Sequence, residues 1–174
     1  MNTLFIVFLS FLFNLQSAGD GVPFASNCFH ETEAAQYGVA LKDVEYEINA
    51  ESIGKQGKAL VKVSVRCRKR EMKYCLAAAV HGILFKGYAS VNGVKAQKPM
   101  ISQEDSEFHE DYFKQFFDFR NESFSGFAEI VPGTVVSTKV RGGYRIEAVV
   151  EVYKALLRKH LEDDGILKKM SEIL

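Results

Sequence analysis

Two side chains able to do nucleophilic or acid–base work lie close together in residues 72–85, MKYCLAAAVHGILF: Cys75 and His81. A thiol and an imidazole form a catalytic dyad only within hydrogen-bond reach of each other. Around them Met72, Cys75, Leu76, Ala79, Val80, Ile83 and Leu84 recur at the i, i+3, i+4 spacing of one helical stripe. Six residues turn a helix through roughly 240°. Cys75 therefore belongs to the edge of a stripe facing a sheet, and His81 to another side with Tyr74, Ala78 and Phe85. The spacing predicts a core helix ended by Gly87, with no dyad.

Other clusters suggest less. His109-Glu110-Asp111 is the best metal-like group, but successive residues on a helix point in different directions and rarely chelate one ion. Asp105 and His109 have helical spacing, yet a solvated acidic face is the expected use of such residues. Cys28-Phe29-His30-Glu31 offers two ligands and no second pair. Glycines sit at hairpin turns instead of forming a phosphate loop, and there is no GxSxG elbow. No catalytic residue, metal or cofactor is expected. Cys28, Cys67 and Cys75 allow one disulfide if the compartment is oxidising. Cys67 with Cys75 is the favoured pair, since both should face one core.

Two surfaces invite a binding role. Arg66, Arg68, Lys69, Arg70 and Lys73 form one dense basic patch at the start of a helix, where positive charge is unfavourable. Such a patch suits an anionic partner, lipid headgroups or a surface polysaccharide. Phe108, Tyr112, Phe113, Phe116 and Phe117 crowd residues 106–119. They predict core packing first, with a partner-docking face or a lid over an apolar-ligand pocket as the alternative use. Asn121-Glu122-Ser123 matches a glycosylation acceptor, relevant only to a eukaryotic secretory system.

The ends and the composition limit the classes of function. Leu4 to Phe13 is apolar apart from Ser10, and the small residues Ser17, Ala18 and Gly19 follow. About ten apolar residues are too few to span a bilayer, which needs roughly twenty, but suit a secretory signal peptide over 1–19. No Lys or Arg precedes this run, which is unusual for such a segment. The mature chain is expected to be exported, either periplasmic or associated with the outer envelope or else secreted, without a membrane span. Lys plus Arg and Asp plus Glu number 22 each, so the overall charge gives no drive towards nucleic acid.

These residues must be carried by the elements between. Residues 20–43 read as an irregular lead-in to a single domain over 20–174. Val44, Tyr46, Ile48 and Ala50 alternate with polar residues, and so do Val61, Val63, Val65 and Cys67 across a Gly54–Gly57 turn: a hairpin. Ser102 is positioned to cap a helix through 106–119, with Asp105 three residues on. FSGFAEI, TVVSTKV and YRIEAVVEVY, separated by Pro132-Gly133 and Gly142-Gly143, read as three strands of an antiparallel meander. A terminal helix, or two parted at Gly165, uses Leu157, Leu161, Ile166, Met170 and Ile173 as its apolar side. The expected fold is α+β, an antiparallel sheet of about five strands with helices on one face.

The strand pair, the Ala-rich helix CLAAAVHGILFKG and the late VVEVYKALLRKHLE, together spanning most of 44–164, resemble small exported bacterial envelope proteins. These are relatives of the N-terminal domain of flagellar assembly protein T and of related lipoproteins. The chain departs from them in having no lipobox cysteine and in its long turn between residues 66 and 72. The resemblance implies a non-enzymatic envelope role with an envelope protein or component as partner, and carries no catalytic residues across. A carrier of a small apolar ligand beneath the Phe-rich helix is the alternative.

Overall fold

The computed structural model describes residues 44–169 apart from Ile53 and Asn92. The expected signal peptide, the lead-in, Cys28, His30, Met170 and Ile173 lie outside the described residues. Among the described residues, no helix is long and apolar enough to cross a membrane.

The fold is α+β. Strands β1 (Glu45–Ser52) and β2 (Ala59–Cys67) form the expected antiparallel hairpin, and β2 pairs in turn with β5 (Gly143–Val152). Alternation dictates the outcome. Val61, Val63 and Val65 of β2 and Ile146, Ala148 and Val150 of β5 are buried on one face. Glu45, Glu47, Lys62, Arg66 and Arg145 occupy the other, which is polar and bears cross-strand ion pairs Lys62–Glu147 and Arg66–Glu45.

The expected meander is corrected at its last part. Residues 123–127 coil into a 3-10 turn, Ser123–Phe127, so only β3 (Ala128–Ile130) remains of the FSGFAEI strand. Strand β4 (Val136–Val140) forms the expected hairpin with β5 but does not pair with β3. Both β3 and β4 pair with β5, against its C-terminal and N-terminal halves respectively. They are one edge strand interrupted at residues 131–135. Thr134 patches the interruption: its hydroxyl donates to the Val131 carbonyl at 2.7 Å and accepts the Val149 N–H at 3.1 Å. A side chain thus satisfies a backbone group that the ladder leaves open.

Helix α1 (Lys73–His81) lies on the buried face, against β1, β2 and β5. It runs on as one wider turn, Gly82–Lys86, closed by the Gly87 N–H on the Gly82 carbonyl at 2.7 Å. Gly87 ends it as expected, at φ +68°. The single stripe expected for this helix proves too narrow. Ala77, Ala78 and His81 are buried along with Cys75, Ala79 and Val80, because a second layer covers the far side. That layer contains α3 (Glu110–Phe116) and the 3-10 turn, through contacts such as Phe85–Phe113 and His81–Phe117. A helix apolar all round is one enclosed all round.

The Phe-rich segment is not one helix. Ser102 caps α2 (Gln103–Phe108) as expected, accepting the Asp105 N–H at 3.1 Å, but the helix breaks at His109 before α3 begins. The break turns Phe108 outward, 84% exposed, whereas Phe113, Phe116 and Phe117 enter the core with Phe124. Helix α4 (Lys154–Asp163) packs beside the 3-10 turn and adds Leu157 and Leu161 to the core, and Ile166 follows the turn at Gly165.

Candidate functional site

The strand register assembles more of a basic surface than the sequence patch contains. Arg66 ends the polar face of β2, and Arg68, Lys69 and Arg70 follow on the exposed connection to α1. The β4–β5 hairpin lies alongside. Arg66 donates from Nη2 to the Arg141 carbonyl at 3.1 Å. At the turn end of the hairpin the fit is tight: a Cβ on Gly143 would stand 2.2 Å from the Cys67 carbonyl oxygen and 3.1 Å from the Arg68 Cα. The hairpin therefore brings Arg141 and Arg145 to the same end of the sheet. Neither belongs to the patch read from the sequence, since Arg141 itself lies 75 residues beyond Arg66. Their signal was a register signal, recoverable only by aligning β5 on β2.

Lys73 leaves that group. Its ammonium pairs with Glu71 at 3.1 Å and Glu122 at 3.4 Å and lies 5.3 Å from the Phe119 ring centre. The hydrogen bond to Glu71 leads in holding its proton more tightly than usual. Lys73 ties the start of α1 to the segment after α3. Lys69, Arg70, Arg141 and Arg145, by contrast, make no ion pair among the described residues.

A second grouping was not foreseen. The Tyr112 hydroxyl donates to Asp164 Oδ2 at 2.8 Å and lies 3.3 Å from His160 Nε2, which is 3.4 Å from the same carboxylate oxygen. Phe127 stacks on the imidazole at 5.0 Å. Desolvation, followed by the hydrogen bond to Asp164, pushes the phenol above its usual pKa. A phenol held protonated is a poor nucleophile, and this grouping ties α3 to α4. Tyr112 and His160 stand 48 residues apart, so no local spacing announces it.

The reactive-looking residues of the opening helix are equally quiet. His81 is buried among Tyr46, Phe85 and Phe117 and hydrogen-bonds the Tyr46 hydroxyl through Nδ1. Burial, then the nearby Lys86 charge, lowers its pKa to about 3, so the ring is neutral. Cys75 is a buried free thiol whose pKa is raised to about 12, first by burial and then by Cys67. Cys67 is also a free thiol, donating from Sγ to the Lys69 carbonyl at 3.0 Å. The favoured disulfide pair is thus present as two thiols. His109 stands at the helix break, in contact with Phe108. Among the described residues no three His, Cys, Asp or Glu side chains are grouped to hold a metal ion.

The proposed apolar-ligand face divides. Phe113 and Phe117 are fully enclosed, Phe116 nearly so, and Tyr112 is half-buried in its hydrogen bonds. These rings spend their area on Phe85, Phe124 and Phe127. Comparison of the chain with family models, with curated proteins and with solved structures finds no match.

Proposed function

We propose that this is an exported, non-catalytic envelope protein acting through binding or assembly, and that its basic end meets an anionic partner. The observation that carries this is the convergence of Arg68, Lys69 and Arg70 with Arg141 and Arg145 from a distant hairpin. Folding gathers these cations against their mutual repulsion, and Lys69, Arg70, Arg141 and Arg145 make no ion pair among the described residues. Unneutralised charge concentrated at one place raises the local concentration of opposite charge and speeds encounter. Arginine suits this work, because its guanidinium stays charged and forks onto oxyanions.

The shifted side chains support a binding role over catalysis. Cys75 is held as a thiol, Tyr112 as a phenol, and His81 as a neutral ring inside the core. Each shift removes reactivity from the surface. The resemblance to envelope proteins points the same way.

The test is retention of the protein by two immobilised polyanions, phosphatidylglycerol vesicles and a sulfated polysaccharide, at low salt. Wild type should be held by at least one and released as salt rises. Reversal of Arg68, Lys69 and Arg70 to Glu should abolish retention without altering the circular dichroism spectrum. Equal retention of that variant would refute the proposal.

A further inference from the structure

Within the basic end, one pair of residues stands in a geometry that a diffuse patch does not require. In the β2–β5 ladder Arg66 lies directly opposite Arg145, and both side chains are on the polar face. Like charges directly across a ladder destabilise a sheet. The nearest acid along β5, Glu147, is engaged by Lys62, and the other positions of the same row relieve little of this. On one side Glu45 lies opposite Arg66, but its carboxylate is 82% exposed and 3.6 Å from the guanidinium, the geometry of a weak surface pair. On the other side Thr138 lies opposite Arg145 and brings a hydroxyl instead of a charge. The row across the sheet is therefore Glu45, Arg66, Arg145, Thr138. Arg141, in the turn of the β4–β5 hairpin, accepts Arg66 Nη2 on its carbonyl at 3.1 Å.

We propose that Arg66 and Arg145 form a clamp for a phosphate group on the partner, a proposal that rests on the binding role above. One guanidinium fork satisfies a planar carboxylate by itself. Two guanidiniums from directly paired ladder positions, with a hydroxyl on the next strand in the same row, suit a tetrahedral oxyanion that accepts from several directions, which would compete with Glu45 and the Arg141 carbonyl for Arg66. The anion removes the repulsion between the two arginines, so the clamp is occupied where the charges are closest. Thr138 supplies a neutral donor to the same group. Arg68, Lys69 and Arg70 steer the partner without selecting its chemistry.

The experiment compares vesicles of matched surface charge, one set carrying phosphatidylglycerol and the other oleate as the anion. Replacing Arg145 with Gln should weaken binding to the phosphate vesicles about tenfold, the worth of one charge-assisted contact. It should leave oleate vesicles within about twofold, the residual effect of one steering charge. Arg66→Gln should behave alike, and K69Q should weaken both vesicles equally. Arginine Nε resonances followed during titration with inorganic phosphate separate the sources. Shifts at Arg66 and Arg145 with phosphate alone mean that the free ion suffices; shifts only with phosphatidylglycerol vesicles mean that the headgroup surface is required. Equal weakening of both vesicle types by R145Q, or tighter binding of a sulfated polysaccharide than of either vesicle, would overturn the clamp and leave the basic end as a binding surface. Failure of wild type to bind any of these probes would remove both proposals.

Discussion

Acid should destabilise this protein in part through one buried residue. His81 is enclosed by Tyr46, Phe85 and Phe117, with the fixed charge of Lys86 nearby, and its pKa falls to about 3 from an unfolded value near 6.5. A base whose folded pKa is depressed is protonated more readily by the unfolded chain. Its contribution is present in full above the unfolded value and is lost as pH falls towards the folded one. The slope between those limits approaches about 1.4 kcal/mol per pH unit. Lowering the pH from 7 to 5 crosses about one and a half units of that window and should cost about 2 kcal/mol from this group alone. The assay is urea unfolding at pH 7, 6 and 5 for wild type and for His81→Gln, which cannot titrate. The variant will be less stable throughout, since it disturbs a packed core, so the quantity to compare is the fall with pH. The rest of the chain is common to both proteins and cancels in the comparison. Wild type should lose about 2 kcal/mol more than H81Q between pH 7 and 5. Parallel pH profiles would refute the reasoning, and with it the placing of a neutral imidazole in the core.

Three further outcomes follow from packing and burial. Phe117→Ala should cost about 3–5 kcal/mol in urea unfolding, whereas Phe108→Ser, at an 84% exposed position, should stay within about 0.5 kcal/mol. Similar costs for the two would contradict the break at His109. Gly87→Ala adds a Cβ 2.0 Å from the Gln97 carbonyl oxygen at a positive φ. It should lower the melting temperature by several degrees, consistent with a loss of about 2 kcal/mol or more; an unchanged melting curve would exclude that close approach. Cys75, with its pKa raised to about 12, should resist a thiol reagent at pH 8 until denaturant is added. Rapid labelling of the native protein at Cys75 would show that the site is open.

Where one face of an element is buried and the other wet, the residues told its place. β2 and the long β5 alternate over their whole length, β1 does so up to a register shift after Ala50, and each stands where its alternation puts it. Ser102 likewise marked a helix start by its side-chain chemistry. Periodicity misled where the chain is enclosed on every side. The sides of α1 differ little in polarity, so a single stripe held only Cys75, Ala79 and Val80 of its buried residues and missed Ala77, Ala78 and His81. It also failed at a break. Phe108 and Tyr112 keep helical spacing, but the turn at His109 separates them, and no residue type there signals it. The alternation in FSGFAEI is real as a pattern, yet Phe124 is buried from a 3-10 turn instead of a strand.

Half of the candidate site was legible, because Arg66, Arg68, Lys69, Arg70 and Lys73 are close in sequence. The other half depended on partners. Lys73 is drawn away by Glu71 and Glu122, and Arg141 and Arg145 are brought in by the pairing of β5 with β2. A count of charges along the chain treats these residues alike; the strand register sorts them into those neutralised by the fold and those left for a partner.

The most direct test of the binding role is the salt dependence of association with phosphatidylglycerol vesicles for wild type and for a protein with Arg68, Lys69, Arg70 and Arg141 all changed to Glu. Wild type should bind at low salt and weaken steeply with added salt, and the variant should show no binding at any salt concentration. Undiminished, salt-insensitive binding by the variant would contradict it.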